Sequence, residues 1–140
     1  MGTIESEGES INMKNLAMAV VIRNGTILVQ KRYRKSKGMV YEFPDGTVEQ
    51  NEGGEQAAIR ELEEETGLRY VFVIGSHVRN NEFGGDIHHV VLEQKIAEDP
   101  NVVEAYRKQT FHWFEPPKIP GKDFFKADKA FIDYDLLQYT

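Results

Sequence analysis

The sequence predicts an α/β (α+β) fold, a mixed β-sheet sandwiched between helices. Three observations carry that reading: β-rich runs that come in pairs, a Glu-, Ala- and Leu-rich helical segment between the pairs, and an amphipathic stretch near the end of the chain. Residues 16–23 alternate Leu16, Met18, Val20 and Ile22 with Ala17, Ala19, Val21 and Arg23, and Asn24-Gly25 intervenes before Ile27, Leu28 and Val29. Asn-Gly supplies the two positive φ angles of a tight turn, so this segment reads as a β-hairpin. Residues 35–38 form a polar loop, and residues 39–43 a short strand stopped by a turn at Pro44, Asp45 and Gly46. Residues 54–66 have a helix-forming composition and end at Gly67, which suits the left-handed position beyond a helix. Residues 70–78 and 87–96 predict a second antiparallel pair around Asn80, Asn81, Gly84 and Gly85. Residues 110–114 read as another strand, and Pro116, Pro117 and Pro120 then break the chain. Residues 122–137 close it as a helix, with Phe125, Ala130, Phe131, Tyr134, Leu136 and Leu137 at roughly helical spacing.

A length of 140 residues with 40% hydrophobic and 29% charged side chains suits one globular domain. Residues 1–12, with Glu5, Glu7 and Glu9 and no periodicity, read as a disordered leader or tag ahead of a single domain over residues 13–140. The absence of cysteine excludes disulfides, thiolate zinc sites, iron–sulfur clusters and a cysteine nucleophile, and it fits a cytoplasmic compartment. A net charge of -6 gives no electrostatic reason to gather on polymeric nucleic acid or an anionic membrane, and there is no apolar run long enough for a membrane span. Lys31, Arg32, Arg34, Lys35 and Lys37 form a local basic cluster, which suits either phosphate or a solvated strand end.

The carboxylates of residues 46–68 hold the chemistry. On a helix Glu61, Glu64 and Glu65 stand at i, i+3 and i+4 and share one face. Three like charges there are relieved by full solvation or by a bound cation, and hard oxygen ligands favour Mg²⁺ or Mn²⁺. Spacing alone leaves both open. The wider pattern runs Gly, five residues, Glu, seven residues, Arg-Glu, an aliphatic, any residue, Glu-Glu, any residue, Gly and an aliphatic. Gly46, Glu52, Arg60, Glu61, Leu62, Glu64, Glu65, Gly67 and Leu68 fill every fixed position. This resembles the Nudix box of the Nudix hydrolase superfamily. Met13, Lys14, Asn15 and Leu16, with residues 19–23, are similar to the opening strand of MutT-like members, which makes Met13 a candidate native start.

The resemblance implies a Nudix-type mixed sheet between helices, with the box as strand, loop and helix. It also implies divalent-metal-dependent hydrolysis of a nucleoside diphosphate linked to another moiety, by water attacking phosphorus. Carried over residue by residue, Glu64 and Glu65 are metal ligands, Glu61 is a ligand or the base on the attacking water, and Glu52 and Arg60 hold those groups in register. A structural ion pair is the plainer reading of Glu52 and Arg60. Many members have Gly-Gly where this chain has Asp45-Gly46, and the first carbonyl there is commonly a metal ligand. Asp45 keeps that carbonyl and adds a carboxylate, although it also suits a simple turn. Relatives often take a further acid from a loop after the central strands; Glu98, Asp99 and Glu104 are candidates, with Glu104 best placed before the next strand. The implied cofactor is Mg²⁺, with Mn²⁺ as a substitute, and the implied partners are a small-molecule nucleotide and, since many relatives dimerise, a second copy of the chain.

Substrate class is narrowed by absences. ADP-ribose-type relatives tend to carry a proline about fifteen residues beyond the box, and dinucleoside polyphosphate types a tyrosine. Residues 79–85 contain neither, leaving MutT-like cleavage of a nucleoside triphosphate or damaged nucleotide ahead. The alternative is a Nudix-fold module that binds a phosphorylated ligand without turning it over; retention of Glu61, Glu64 and Glu65 favours catalysis. His88 and His89 are neighbours in a strand and point to opposite faces, so only one can face a site, and packing is the plainer role for each. His112, Trp113 and Phe114 read as sheet packing, with rings suited to stacking a base. Asp128 falls where some MutT-like enzymes read a purine edge, against the plainer reading of a surface or helix-start acid.

Overall fold

In the computed structural model residues 15–82, 84–101 and 109–140 are described. The expectations for residues 1–12, Met13, Lys14 and Glu104 lie outside them. Strand β1 (Leu16–Arg23) is buried on both faces and organises the rest. It joins β2 (Thr26–Arg34) through the expected hairpin, with Asn24 at φ 50° and Gly25 at φ 76°. On its other side lies β6 (Asp86–Gln94), parallel to it, and β5 (Val71–Asn80) pairs antiparallel with β6. Strands β3 (Gly38–Glu42) and β7 (Thr110–Phe114) both pair antiparallel with β2.

Side-chain size sorts the two faces of β1. Ala17, Ala19 and Val21 meet Ala57, Ala58 and Leu62 of helix α1 (Gly54–Thr66), where small residues on both surfaces let helix and sheet approach closely. Met18, Val20 and Ile22 pack with Phe43, Phe124, Phe131 and Leu136 beneath helix α2 (Lys126–Tyr134). Helix α1 has the ends its sequence predicts. The Gln56 side chain accepts from the Gly53 N–H at 2.8 Å, and Gly67, at φ 81°, donates to the Glu63 carbonyl at 2.9 Å.

Two segments differ from expectation. The turn expected after residue 43 contains a short strand, β4 (Asp45–Thr47), antiparallel to β1. The cause is an open edge. β2 pairs with β1 only at Ile22 and Arg23, so the backbone groups at the start of β1 need other partners. β4 takes Leu16, Ala17 and Met18, and the Pro44 carbonyl accepts from the Ala19 N–H at 2.8 Å. The closing helix is shorter than residues 122–137. Phe124 and Phe125 are extended, which lets Phe124 enter the core, and 3₁₀ turns at Gly121–Asp123 and Leu136–Tyr139 flank α2.

Register then assigns faces, because directly paired residues point to the same side of a sheet. Met18 pairs with Asp45 on β4 and His89 on β6, and His89 with His77 on β5, a row on the α2 side. Ala17, Gly46, His88 and Val78 form the next row, on the α1 side.

Phe43 ties these rows to α2: it is fully buried, edge-on to His89 at 6.1 Å and to Phe131 at 6.0 Å between ring centroids. Phe43→Ala is expected to cost roughly 3–5 kcal/mol. Urea unfolding should show this as a lower midpoint with an unchanged denaturant slope.

Candidate active site

Arg60 is the hub of the box. Its Nε donates to Glu52 Oε2 at 2.7 Å and its Nη2 to Glu52 Oε1 at 3.0 Å, a two-point grip on one carboxylate. Nη2 also reaches the Thr47 carbonyl on β4 at 2.9 Å. Nη1 donates to Glu61 Oε2 at 2.8 Å and lies 3.3 Å from both oxygens of Glu64. One guanidinium therefore joins the loop before α1, the strand beside it and two acids of the helix. Arg60 and the backbone N–H of Glu49 together hold the Glu52 carboxyl down at about 2.

The three helix acids have different surroundings. Glu61 lies against β4 so closely that a Cβ built on Gly46 would stand 1.9 Å from its Cδ. Burial raises its pKa in spite of Arg60. Glu64 faces outward, with 57% of its side chain exposed, while Glu65 is buried on the side of Asp45. Asp45 points the other way from Gly46. Desolvation pushes its carboxyl well above the ordinary carboxylate range, helped by the charges of Glu42, Glu65 and Asp128 and opposed by Arg34.

Asp45 also lines a cavity of about 390 Å³ between the start of β1 and α2. Leu16, Met18, Ile87 and Phe125 give it apolar walls, and its polar groups include Arg34, Glu42, Arg79 and Asp128. Arg34 donates through Nε to the buried Glu42, whose other oxygen accepts from Gln30 at 3.3 Å; Gln30 in turn accepts from Gln109 at 3.1 Å. Asp128 accepts from His89 Nε2 at 2.7 Å. Arg79 pairs with Asp135.

Sequence reasoning missed Glu42, Arg79 and the link between His89 and Asp128. A signal for the first was present: Gln30 and Glu42 are a directly paired polar couple at inward positions of two strands. Asp128 stands in the first turn of α2 as a helix-start acid, but it is buried and not on the surface, because it shares the Phe131 face. Glu98 and Asp99 are not brought to the site. They sit at the far end of β1, where Arg23 donates to the Glu98 carbonyl at 3.2 Å and pairs with Asp99 at 3.0 Å. Trp113 lies under that arginine at 3.9 Å, and His112 and Phe114 pack on Tyr41, away from the cavity. His88 abuts Gly54 at the start of α1. The basic cluster is dispersed: Lys31 lies over Tyr41, Lys37 over Phe125, and Arg34 is engaged by Glu42.

Among the described residues no three acids or imidazoles converge closely enough to hold a metal ion as they stand. The donor chemistry fits one. Glu61, Glu64 and Glu65 offer hard oxygens on successive turns of one helix, the Gly46 backbone is open to Glu61, and burial, with neighbouring acids adding to it, raises the proton affinity of Glu61 and Asp45, which a cation beside them would lower.

The grip on Glu52 is testable alone. A carboxyl held near 2 keeps its ion pair through the neutral and mildly acid range and releases it only as pH falls toward that value. A carbon NMR titration should place the Glu52 midpoint there, and in Arg60→Met it should return toward the ordinary 4.5.

The chain matches the NUDIX domain family over residues 13–135. It is 30% identical over 126 residues to the CTP pyrophosphohydrolase of Escherichia coli (strain K12), covering 88% of this chain and 91% of that protein. It is 34% identical over 96 residues to the ADP-ribose pyrophosphatase of Bacillus subtilis (strain 168), covering 66% of this chain and 50% of that one. The fold superposes on a MutT NUDIX hydrolase from Burkholderia pseudomallei with a TM-score of 0.65 at 26% identity, over 86% of this chain and 95% of that one. The solution structure of the E. coli ORF135 protein gives 0.65 at 26% identity, over 91% of each chain. A box filled at every fixed position, set on a strand, loop and helix within a fold matched along most of its length, makes this protein a MutT-like enzyme of the Nudix hydrolase family.

Proposed function

We propose that the enzyme hydrolyses a nucleoside triphosphate or a damaged nucleotide of that kind, holding the base in the cavity beneath α2 and the diphosphate over the acids of α1. One observation supports this most: Asp45, which lines the cavity, and Gly46, which abuts Glu61, are successive residues of β4. A nucleotide lying across that strand reaches both. The cavity falls within the roughly 300–1,000 Å³ of small-molecule sites, and apolar walls with a few polar groups suit a planar base. The likeness to a CTP pyrophosphohydrolase along most of both chains also favours a triphosphate.

In this reading Glu64 and Glu65 hold the divalent ion, Mg²⁺ or Mn²⁺, with Glu61, Asp45 and Glu104 as further candidate ligands. The ion, when bound, neutralises charge on the diphosphate oxygens and lowers the pKa of bound water. Glu61 is the candidate base, since burial raises its affinity for the proton that the attacking water gives up as the phosphorus–oxygen bond to the leaving group breaks. Arg60, gripped by Glu52, orients Glu61 against β4 and reaches Glu64 on the outer side of the helix.

The reading is tested by phosphate and pyrophosphate release from nucleoside triphosphates, damaged nucleotides, nucleotide sugars and dinucleoside polyphosphates, with Mg²⁺, Mn²⁺ or chelator. Chelator-sensitive turnover of triphosphates is expected, abolished in a folded Glu65→Gln protein; a fully active Glu65→Gln protein overturns the metal assignment. In Gly46→Ala the new methyl displaces the Glu61 carboxyl, and kcat is expected to fall about 10- to 100-fold with the melting temperature little changed.

A further inference from the structure

A second, smaller depression lies beside the cavity, and hydrolysis assigns it no task. It measures about 210 Å³ and is walled by Lys37, Met39 and Val40 at the β2–β3 turn and by Lys122, Phe124 and Phe125 ahead of α2. Phe125 lines both spaces. Extended backbone at Phe124 and Phe125 sends their side chains to opposite sides, so Phe124 enters the core while Phe125 stays 36% exposed as the wall between the two. Lys37 Nζ stands 4.9 Å from the centre of the Phe125 ring. The charge here is unbalanced. Lys95, Lys118 and Lys129, exposed lysines elsewhere, each lie within 3.2 Å of a carboxylate. Lys37 and Lys122 make no ion pair among the described residues, and neither does Lys126 on the cavity side of Phe125. Asp123, the acid among the lining residues, is exposed and pairs with neither lysine. Both lysines stand on closed turns: the Lys37 N–H donates to the Arg34 carbonyl at 3.0 Å, and the Phe124 N–H to the Gly121 carbonyl at 3.1 Å. An anion is the complement of two unpaired ammonium groups at one concavity.

The depression opens on the α2 side of the sheet. Met39 shares a face with Tyr41, which packs on the α2-side core, whereas Gly46 faces the acids of α1. A nucleotide whose 5′ phosphates cross β4 to those acids therefore leaves this depression to a different group. We propose that Lys37 and Lys122 form an anion subsite for a second phosphate, carried on the ribose 3′ oxygen of a nucleotide whose base fills the cavity on the other side of Phe125. The inference rests on the reading that the cavity takes the base. The chemistry recognised is a 3′-phosphate ester, which a 3′-phosphorylated mononucleotide and the first link of an oligonucleotide both present. Lysine suits the task, since a compact charge on a flexible stem follows a phosphate without demanding one orientation.

The test is calorimetric binding of cytidine, adenosine and guanosine and of their 3′-monophosphates in chelator. None carries a 5′ phosphate, so turnover, metal and the α1 acids stay out of the readout. Wild-type protein is expected to bind the 3′-monophosphate of whichever nucleoside it accepts about tenfold more tightly than the nucleoside, an advantage that shrinks as salt is raised. Lys37→Met and Lys122→Met should each remove part of that advantage, and the double variant should bring it within about twofold. Asp123→Asn, which takes a negative charge from the rim, should enlarge it. All three positions are exposed, so the variants keep the fold. The dinucleoside monophosphates CpC, ApA and GpG separate the sources: affinity equal to that of the 3′-monophosphate assigns the subsite to an oligonucleotide link, and weaker affinity assigns it to a terminal phosphate. No gain from the 3′ phosphate in wild type, or a gain that survives the double variant, overturns the subsite while leaving the base in the cavity. Failure of every nucleoside to bind, with or without its phosphate, overturns the base-in-cavity reading, and the proposal with it.

Discussion

The pairing of β4 with the first residues of β1 is the constraint on which the rest of the site depends. The β1–β2 hairpin diverges early, leaving the start of β1 with unpaired backbone groups, and a three-residue strand after Pro44 satisfies them. Once that ladder forms, alternation leaves no choice. Asp45 faces the α2 layer with Met18 and His89, and Gly46 faces the α1 layer with Ala17 and His88. The cavity and the acidic helix face thus meet at two neighbouring residues, and the missing side chain of Gly46 admits Glu61 to the strand.

Arg60 and Arg34 each work among several acids. Arg60 holds Glu52, Glu61 and Glu64, with Glu49 4.0 Å away, and Arg34 holds Glu42 beside Asp45. Partly exposed ion pairs contribute little to stability, so their value here is direction: each fixes a carboxylate against a particular strand or helix turn. Burial matters as much: it makes Glu61 and Asp45 bind protons more tightly than ordinary carboxylates, the first in spite of its arginine and the second with three neighbouring acids adding to the effect. A site so crowded is suited to receive a cation and repels a bare polyphosphate without one.

The elements with strong local signals were legible in the sequence. The Asn24-Gly25 hairpin, the α1 segment ending at Gly67 and the strand at Thr110–Phe114 have their expected form because turn chemistry, periodicity and capping act over a few residues. Pro44, Asp45 and Gly46 carry turn signals, and only the vacant edge of a strand some thirty residues earlier overrides them to make β4. The last helix is shorter than its helical spacing predicts because the core draws Phe124 into an extended conformation, and Phe125 beside it is extended too.

The sequence by itself determined the chemistry on offer: a helix with three acids at i, i+3 and i+4, an arginine and a glutamate at box spacing, and a glycine ahead of them. Those relations are local, fixed by the helical repeat. Tertiary structure decided which acids matter to which space. It separated Glu64 from Glu65, sent Glu98 and Asp99 to the far end of β1, and buried Asp128 against His89 across 39 positions of chain. The physical reason is that a side chain's partner across a sheet is set by register, and register depends on how the apolar faces of the whole domain are buried.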